Sequence, residues 1–171
     1  LETAHQLAQE VSTRAPLREF QVDTYFHCPQ GRLKLRQIDR CRGQLIWYQR
    51  ADQAAARESH YQLIEITEVD AVCQLLSAAL GVSSRVEKQR TVYWYENVRI
   101  HIDEVRALGT FIEFEAVIST PAQRGAAADQ LEFLSDALQI NATDVLTMSY
   151  GDMMKNRGVG QLVAGGALAG K

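Results

Sequence analysis

Alternation between charged and apolar residues is the clearest pattern in the chain, and it is strongest over residues 98–103 and 112–116. The alternating charged residues are Arg99, His101 and Asp103 in the first segment and Glu113 and Glu115 in the second. Because successive side chains of a β-strand point to opposite faces, each segment predicts a strand with one charged and one apolar face.

An earlier segment alternates in the same way, with Arg32, Lys34 and Arg36 separated by leucines. The charged faces therefore carry cations in some strands and carboxylates in others. If these faces meet in one concave sheet, they form a site for a polyanion and a divalent metal. We expect one shared lumen to be lined by Lys34, Arg36, Arg99, Asp103, Glu113 and Glu115.

The spacing of apolar residues predicts seven strands and three helices, which is an α+β arrangement. The predicted strands cover 21–27, 32–39, 45–50, 61–66, 85–95, 98–104 and 110–119. The predicted helices cover 1–11, 68–80 and 126–138. A tight hairpin at Glu96 and Asn97 joins the fifth strand to the sixth.

Helix ends and the chain's C-terminal segment give three further expectations. Thr67 and Asp70 form a predicted capping box at the start of the second helix, and Gly81 is its predicted stop. Residues 156–171 are rich in Gly and Ala, which predicts a tail with little reason to pack. The domain prediction is accordingly one domain over 1–155 and a tail over 156–171.

Composition narrows the function classes. The chain has 171 residues, a net charge of −3 and 46% hydrophobic residues, as expected of a globular protein. No global basic field is present, which argues against bulk nucleic-acid binding. No apolar run approaches the ~20 residues of a membrane span, and no signal peptide is evident. Three widely spaced cysteines without a CxxC pair favour a reduced, cytoplasmic setting.

Six blocks of sequence, in order from Asp23 to Glu115, resemble the CYTH family. This family comprises the class IV adenylate cyclases and thiamine triphosphatases, also called triphosphate tunnel metalloenzymes. The blocks are Asp23-Thr24-Tyr25-Phe26, Gly31-Arg32-Leu33-Lys34-Leu35-Arg36, Leu45-Ile46-Trp47-Tyr48-Gln49-Arg50, Glu87-Lys88-Gln89-Arg90, Arg99-Ile100-His101-Ile102-Asp103-Glu104-Val105 and Leu108-Gly109-Thr110-Phe111-Ile112-Glu113-Phe114-Glu115.

The resemblance implies an eight-stranded antiparallel tunnel barrel with flanking helices that acts on triphosphates with Mg²⁺ or Mn²⁺. The family's signature opens with an ExExK strand ahead of the first helix, and no such motif is present in this sequence. Either the sequence lacks its true N-terminus, or this member has lost two metal-site glutamates and a lysine. A second departure is Arg50, where many members carry Lys.

The site prediction combines the alternation with the resemblance. The predicted phosphate ligands are Lys34, Arg36, Arg50, Lys88, Arg90 and Arg99, and the predicted metal ligands are Asp103, Glu113 and Glu115. The alternatives are a solvated strand face for the cations and structural ion pairs with Arg99 and Lys88 for the carboxylates. Arg32, at a strand start, fits the rim.

Two residues are candidates for catalysis. His101 lies between Arg99 and Asp103 on the charged face, where it could act as an acid or base or be a hydrogen-bonded spectator. Tyr48 precedes Arg50 by two residues and could steer a water or a ribose hydroxyl, or pack as a core aromatic.

The predicted function is conversion of ATP into cyclic AMP and pyrophosphate by a class IV adenylate cyclase-like enzyme. A triphosphatase that hydrolyses tripolyphosphate or thiamine triphosphate is the alternative, and a non-catalytic polyphosphate or nucleotide binder is the third. The expected partner is the nucleoside triphosphate or polyphosphate, with no nucleic acid and no membrane. A homodimer is left open.

Overall fold

A computed structural model describes residues 1–49, 60–118 and 123–164. The described strands are β1 (Leu17–Phe26), β2 (Arg32–Ile38), β3 (Arg42–Gln49), β4 (His60–Ile66), β5 (Val82–Tyr95), β6 (Val98–Val105) and β7 (Gly109–Ala116). The helices are α1 (Glu2–Val11), α2 (Val69–Leu80), α3 (Gln123–Ala137) and α4 (Tyr150–Ala164), with a short 3₁₀ helix at Ala142–Asp144. The α+β class and the seven strands are confirmed.

The described strands form one sheet in the order β4-β3-β2-β1-β5-β6-β7. Neighbours pair antiparallel from β1 to β4 and from β5 to β7. Within the described residues β4 and β7 are the edge strands, so this sheet is not closed. The described residues contain seven strands, so the eighth strand that the resemblance implies is not found among them.

Two predictions about helix ends are corrected by the structure. The N-cap of α2 is Glu68, and no side chain caps this end. The predicted capping box at Thr67 is therefore wrong: the helix begins one residue later, which moves Asp70 out of the third position that such a box needs. Gly81 ends the helix with a φ of 73°, as predicted for a glycine stop.

The predicted C-terminal tail is also corrected in part. Helix α4 runs from Tyr150 to Ala164, so residues 156–164 are helical, and 165–171 lie outside the described residues. Ser149 starts the helix, because its Oγ accepts a hydrogen bond from the Asp152 backbone N–H at 3.2 Å. Glycines such as Gly158 and Gly160 lower the helix propensity of this segment, so the sequence analysis predicted no helix here. The division of domains at residue 155 stays a prediction.

The chain divides into two compact units. Of the described residues, unit 1 holds 1–20, 88–118 and 123–146, and unit 2 holds 21–49, 60–87 and 147–164. None of the described helices is long and apolar enough to cross a membrane.

Unit 1 has its core on one face of β5, β6 and β7. Ile100 and Ile102 of β6 are almost fully buried there, against Ala8 of α1 and Leu134 of α3. The alternation predicted for β6 explains this arrangement, since its apolar face supplies the core and its charged face is left for other contacts. Burial of these side chains fixes the register of the three strands.

Unit 2 repeats the arrangement with different strands. Phe26 of β1 and Leu35 of β2 are buried against Val69, with further apolar residues of β3 and α2 around them. Helix α2 therefore covers one face of β1, β2 and β3. Lys34 and Arg36 alternate with Leu33 and Leu35, which directs these two cations to the other face.

Candidate functional site

The charged face of unit 2 is organised around one buried carboxylate. In the register of β1 and β2, Asp23 lies opposite Arg36, and Tyr25 lies opposite Lys34. Arg36 donates to both oxygens of Asp23, from Nε at 2.7 Å and from Nη2 at 2.8 Å, and Lys34 Nζ donates at 2.9 Å. We call Asp23, Lys34 and Arg36 the Asp23 cluster. It comprises two cations and one carboxylate.

Two tyrosines flank the lysine of this cluster. Lys34 Nζ lies 5.6 Å from the ring centroid of Tyr25 and 5.7 Å from that of Tyr48, within range of cation–π attraction. Burial raises the pKa of Tyr25 well above its usual value, and the charge of Asp23 and the neighbouring Tyr48 raise it further. Tyr25 therefore remains a neutral phenol at any physiological pH.

Two other cations of this region were predicted to lie at the site, Arg50 as a phosphate ligand and Arg32 at the rim. Arg50 lies outside the described residues. Arg32 donates from Nη2 to Asp152 Oδ2 of α4 at 3.0 Å. The sequence analysis did not single out Asp152, because only the fold brings α4 to the start of β2.

Unit 1 contains a second buried carboxylate with the same type of partners. Asp103 of β6 is fully buried and lies opposite Arg90 of β5. Arg90 donates from Nε and from Nη2 to the two oxygens of Asp103, each at 2.6 Å, and Lys88 Nζ lies 3.3 Å away. We call Asp103, Lys88 and Arg90 the Asp103 cluster.

Two half-exposed glutamates of β7 extend the Asp103 cluster outward. Arg90 donates from Nη2 to Glu113 at 2.9 Å, and Arg99 donates from Nη1 to Glu115 at 3.2 Å. Of the ion pairs that were the alternative to metal binding, the structure contains Arg99 with Glu115 and Lys88 with Asp103, whereas Glu113 pairs with Arg90. The Glu113 and Glu115 side chains are 47% and 39% exposed.

His101 sits between these glutamates. Its Nδ1 lies 3.5 Å from Glu113 and its Nε2 lies 3.7 Å from Glu115. Burial lowers the pKa of His101, and the charge of Arg90 lowers it further, against the opposing effect of the glutamates. The ring is therefore predominantly neutral at neutral pH. Its Nδ1 is buried and makes no hydrogen bond among the described residues.

The pKa values of the two inner carboxylates are lowered. Burial alone would raise the pKa of Asp103, but the hydrogen bonds and charge of Arg90 and the charge of Lys88 outweigh it. Desolvation would likewise raise the pKa of Glu113, but its contact with His101 and the charge of Arg90 hold the pKa well below its usual range. Both groups are carboxylates at neutral pH.

These contacts decide which carboxylates suit a metal ion. The described residues contain no group of three or more His, Cys, Asp or Glu side chains placed to hold one. Both Asp103 oxygens accept from Arg90, whereas Glu113 and Glu115 are exposed neighbours on one face of β7. Mg²⁺ and Mn²⁺ prefer oxygen ligands and commonly use one or two carboxylates. The two glutamates fit that requirement better than Asp103 does.

The structure brings the predicted residues together in two sets. Lys34 and Arg36 share a face in unit 2, as the alternation predicts, and Tyr48 belongs to that face through its place opposite Arg32. The second set lies in unit 1 and comprises Lys88, Arg90, Arg99, His101, Asp103, Glu113 and Glu115. The shared lumen and the roles of these residues in binding or catalysis stay predictions.

Comparisons with known proteins place the chain among proteins of one fold. A family model described as the CYTH domain matches residues 1–150. No curated protein matches the sequence significantly. The PH1012 protein of Pyrococcus horikoshii OT3 is similar in structure, with a TM-score of 0.77 and 20% identity over 90% of this chain and 93% of that chain.

Two candidate adenylate cyclases are also similar in structure. The protein from Vibrio parahaemolyticus has a TM-score of 0.66 and 18% identity, over 89% of this chain and 90% of that chain. The protein from Bacillus halodurans has a TM-score of 0.57 and 17% identity, again over 89% and 90%. At such identities these likenesses show the fold.

Proposed function

Since the chain belongs to the CYTH domain family, we propose that it carries out metal-dependent chemistry on a triphosphate, as a class IV adenylate cyclase-like enzyme. The observation that carries this proposal is the Asp23 cluster, in which one buried carboxylate holds two cations in place on one face of the sheet. A fixed cationic site of this kind suits a phosphate chain.

Phosphate binding is assigned first to Lys34 and Arg36, which are 11% and 13% exposed. At about 4 Å and an effective dielectric near 20, each ion pair with a phosphate oxygen is worth ~4 kcal/mol before desolvation. Phosphate binding is assigned next to Arg99, which is the most exposed of the predicted cations in unit 1. Lys88 and Arg90 are almost fully buried, so contact with phosphate would require them to share their bonds to Asp103.

Metal binding is assigned to Glu113 and Glu115, with Mg²⁺ or Mn²⁺ as the ion. Asp103 acts in this proposal through Arg90, which it holds against Glu113. The bound ion would offset the negative charge of the phosphates. The chain's own residues position the two carboxylates: Arg90 on one side, Arg99 on the other and the neutral His101 between them.

The cyclase reaction needs the ribose 3′-oxygen to attack the α-phosphate in line with departing pyrophosphate. The cations would bind the phosphates and stabilise the charge that develops on the leaving pyrophosphate. His101, as a neutral imidazole, and Tyr48, beside Lys34, are the candidates for proton transfer or for orienting the ribose. The two similar structures described as candidate adenylate cyclases support this chemistry over the alternatives.

The alternatives use the same residues. A triphosphatase would need only a positioned water at the terminal phosphate, and a binder would need the cations without turnover. A cytoplasmic setting is part of the proposal and is supported by the three free cysteines.

The test is an analysis of products. The protein is incubated with Mn²⁺ and ATP, and the products are separated by chromatography. We expect cyclic AMP and pyrophosphate. ADP with orthophosphate, or consumption of tripolyphosphate far faster than ATP, would replace the cyclase with a triphosphatase. Tight binding of tripolyphosphate without any product would favour the binder.

A further inference from the structure

Helix α2 carries an apolar surface on the side that faces away from the sheet. Its inner side packs on the strands of unit 2 through residues such as Val69 and Leu76. The opposite side is exposed, and it includes Ala71, Leu75, Ala78 and Ala79. Spacings of three and four residues place these four on one stripe of the helix. We call them the α2 stripe.

The α2 stripe is unusual for an exposed helix surface. The sequence contains no charged residue between Asp70 and Arg85. The solvent side of a helix normally carries charged and polar residues, and a helix that is apolar on all sides is typical of a buried position. Leu75, in the middle of the stripe, is nevertheless 66% exposed. The stripe therefore indicates a contact that the described residues do not supply.

Strand β4 adds apolar surface beside the helix. Ile64 lies directly opposite Leu45 of β3, and Leu45 packs against the core that α2 covers. Directly opposite residues of paired strands point to the same face, so Ile64 lies on the α2 side of the sheet. It is 60% exposed. Exposed apolar side chains grouped in this way mark an interaction site.

The two ends of α2 carry opposite charges on the same side of the sheet. Glu68 and Asp70, both exposed, lie at its start. Arg85 follows its other end, and its side chain is 61% exposed. Ser84 and Tyr25 both lie against Gly151, on the charged face of unit 2. Since successive residues of a strand alternate, Arg85 points to the opposite face, which is the one that α2 covers.

This distribution of charge and size is complementary to itself in an antiparallel pair. A twofold axis across the α2 stripe brings the acidic start of each helix to the end that Arg85 of the other copy occupies. The uncharged stripes meet at the centre, where Leu75 of one copy faces alanines of the other. Small side chains allow the two helices to approach closely, and antiparallel helix dipoles attract each other.

We propose that the α2 stripe is the interface of a homodimer in which two α2 helices pack antiparallel, flanked by pairs of Glu68 with Arg85. The helix has 12 residues, which is about 18 Å of length. An interface of this length is small, so we expect a dissociation constant of about 1–100 µM. The inference goes beyond the proposed function and does not depend on it, because α2 covers the face opposite to Lys34 and Arg36.

The first test is sedimentation velocity of the wild type over concentrations from about 1 to 500 µM, which span the expected dissociation constant. We expect a shift from monomer to dimer. Leu75→Glu places a charge in the centre of the interface and should raise the dissociation constant at least about tenfold. Leu146→Glu changes another exposed leucine, outside α2, and should dimerise as the wild type does. Circular dichroism verifies that both variants retain their helices.

A charge reversal tests the orientation independently of Leu75. Glu68→Arg alone, or Arg85→Glu alone, places like charges together at both ends of the antiparallel pair. Each should weaken the dimer about threefold or more, since the pair occurs twice in the interface. The double variant E68R/R85E restores opposite charges and should recover the dimerisation of the wild type.

Each outcome decides one part of the inference. A wild type that stays monomeric at every concentration overturns the homodimer and leaves the α2 stripe to a partner of another sequence. A dimer that persists unchanged in Leu75→Glu overturns this interface. Weakening by both single charge variants without recovery in E68R/R85E overturns the antiparallel arrangement.

Discussion

The two units contain the same ionic motif in different surroundings. Each has a Lys-x-Arg pair on one strand and a buried aspartate directly opposite the arginine on the neighbouring strand: Lys34 and Arg36 with Asp23, and Lys88 and Arg90 with Asp103. In both motifs the arginine donates two hydrogen bonds to the aspartate. The two units therefore hold cations on a strand face by the same arrangement of contacts.

The difference lies in what surrounds each motif. The cations of the Asp23 cluster are 11% and 13% exposed. The cations of the Asp103 cluster are 2% and 6% exposed, and Arg90 also contacts Glu113. The motif of unit 1 is thus adjoined by the half-exposed carboxylates Glu113 and Glu115. We propose on this basis that the Asp23 cluster binds phosphate and that the glutamates beside the Asp103 cluster bind the metal ion.

Removal of both outer carboxylates of unit 1 should have the largest effect. The variant E113Q/E115Q should abolish turnover that depends on Mg²⁺ or Mn²⁺, because a hard cation loses its two charged ligands. Product formation at limiting metal measures this effect, and Glu104→Gln on the opposite face of β6 is the control. Wild-type turnover in the double variant would refute the metal role of these glutamates.

The buried aspartate of unit 1 should dominate stability. Asp103→Asn leaves Arg90 and Lys88 without their buried counter-charge, which should cost about 3–5 kcal/mol of unfolding free energy. Chemical denaturation measures this loss, with the exposed Asp136→Asn as the control. A loss below about 1 kcal/mol would contradict the burial and pairing described for Asp103.

The same aspartate should shape the stability at acidic pH. The pKa of Asp103 is lower in the folded state than its unfolded value of about 4. Its contribution is therefore fully present above about pH 4 and is lost as the pH falls through the folded-state pKa. The difference in stability between wild type and Asp103→Asn should narrow below pH 4, and a constant difference would argue against the lowered pKa.

The cations of the Asp23 cluster should govern the affinity for phosphate. Arg36→Ala should weaken the binding of tripolyphosphate by about 2–5 kcal/mol, since a charge-assisted contact is lost. Calorimetry measures this loss, and Arg85→Ala, an exposed arginine of β5, is the control. Equal affinity in Arg36→Ala and wild type would remove Arg36 from the site.

The sequence predicted well what depends on strand periodicity. The shared face of Lys34 and Arg36, and that of Arg99, His101 and Asp103, follow from alternation alone, which is a local property. The same holds for the hairpin at Glu96 and Asn97, which joins β5 to β6.

Features that depend on register or on tertiary contacts could not be predicted. Asp23 begins the first sequence block that resembles the CYTH family, but nothing in the local sequence indicated that it lies opposite Arg36. Asp152 contacts Arg32 only because α4 approaches the start of β2. The start of α2 was predicted one residue too early. Thr67 followed by Asp70 is typical of a capping box, but Glu68 occupies the N-cap position in the structure.

The assignment of phosphate to unit 2 and metal to unit 1 is tested most directly by a crossed binding measurement. Mn²⁺ is titrated by electron paramagnetic resonance, and tripolyphosphate by metal-free calorimetry, in the wild type, Arg36→Ala and E113Q/E115Q. We expect E113Q/E115Q to bind Mn²⁺ at least about tenfold more weakly with tripolyphosphate binding retained, and Arg36→Ala to show the reverse. Loss of Mn²⁺ binding in Arg36→Ala, or retention of it in E113Q/E115Q, would contradict the assignment.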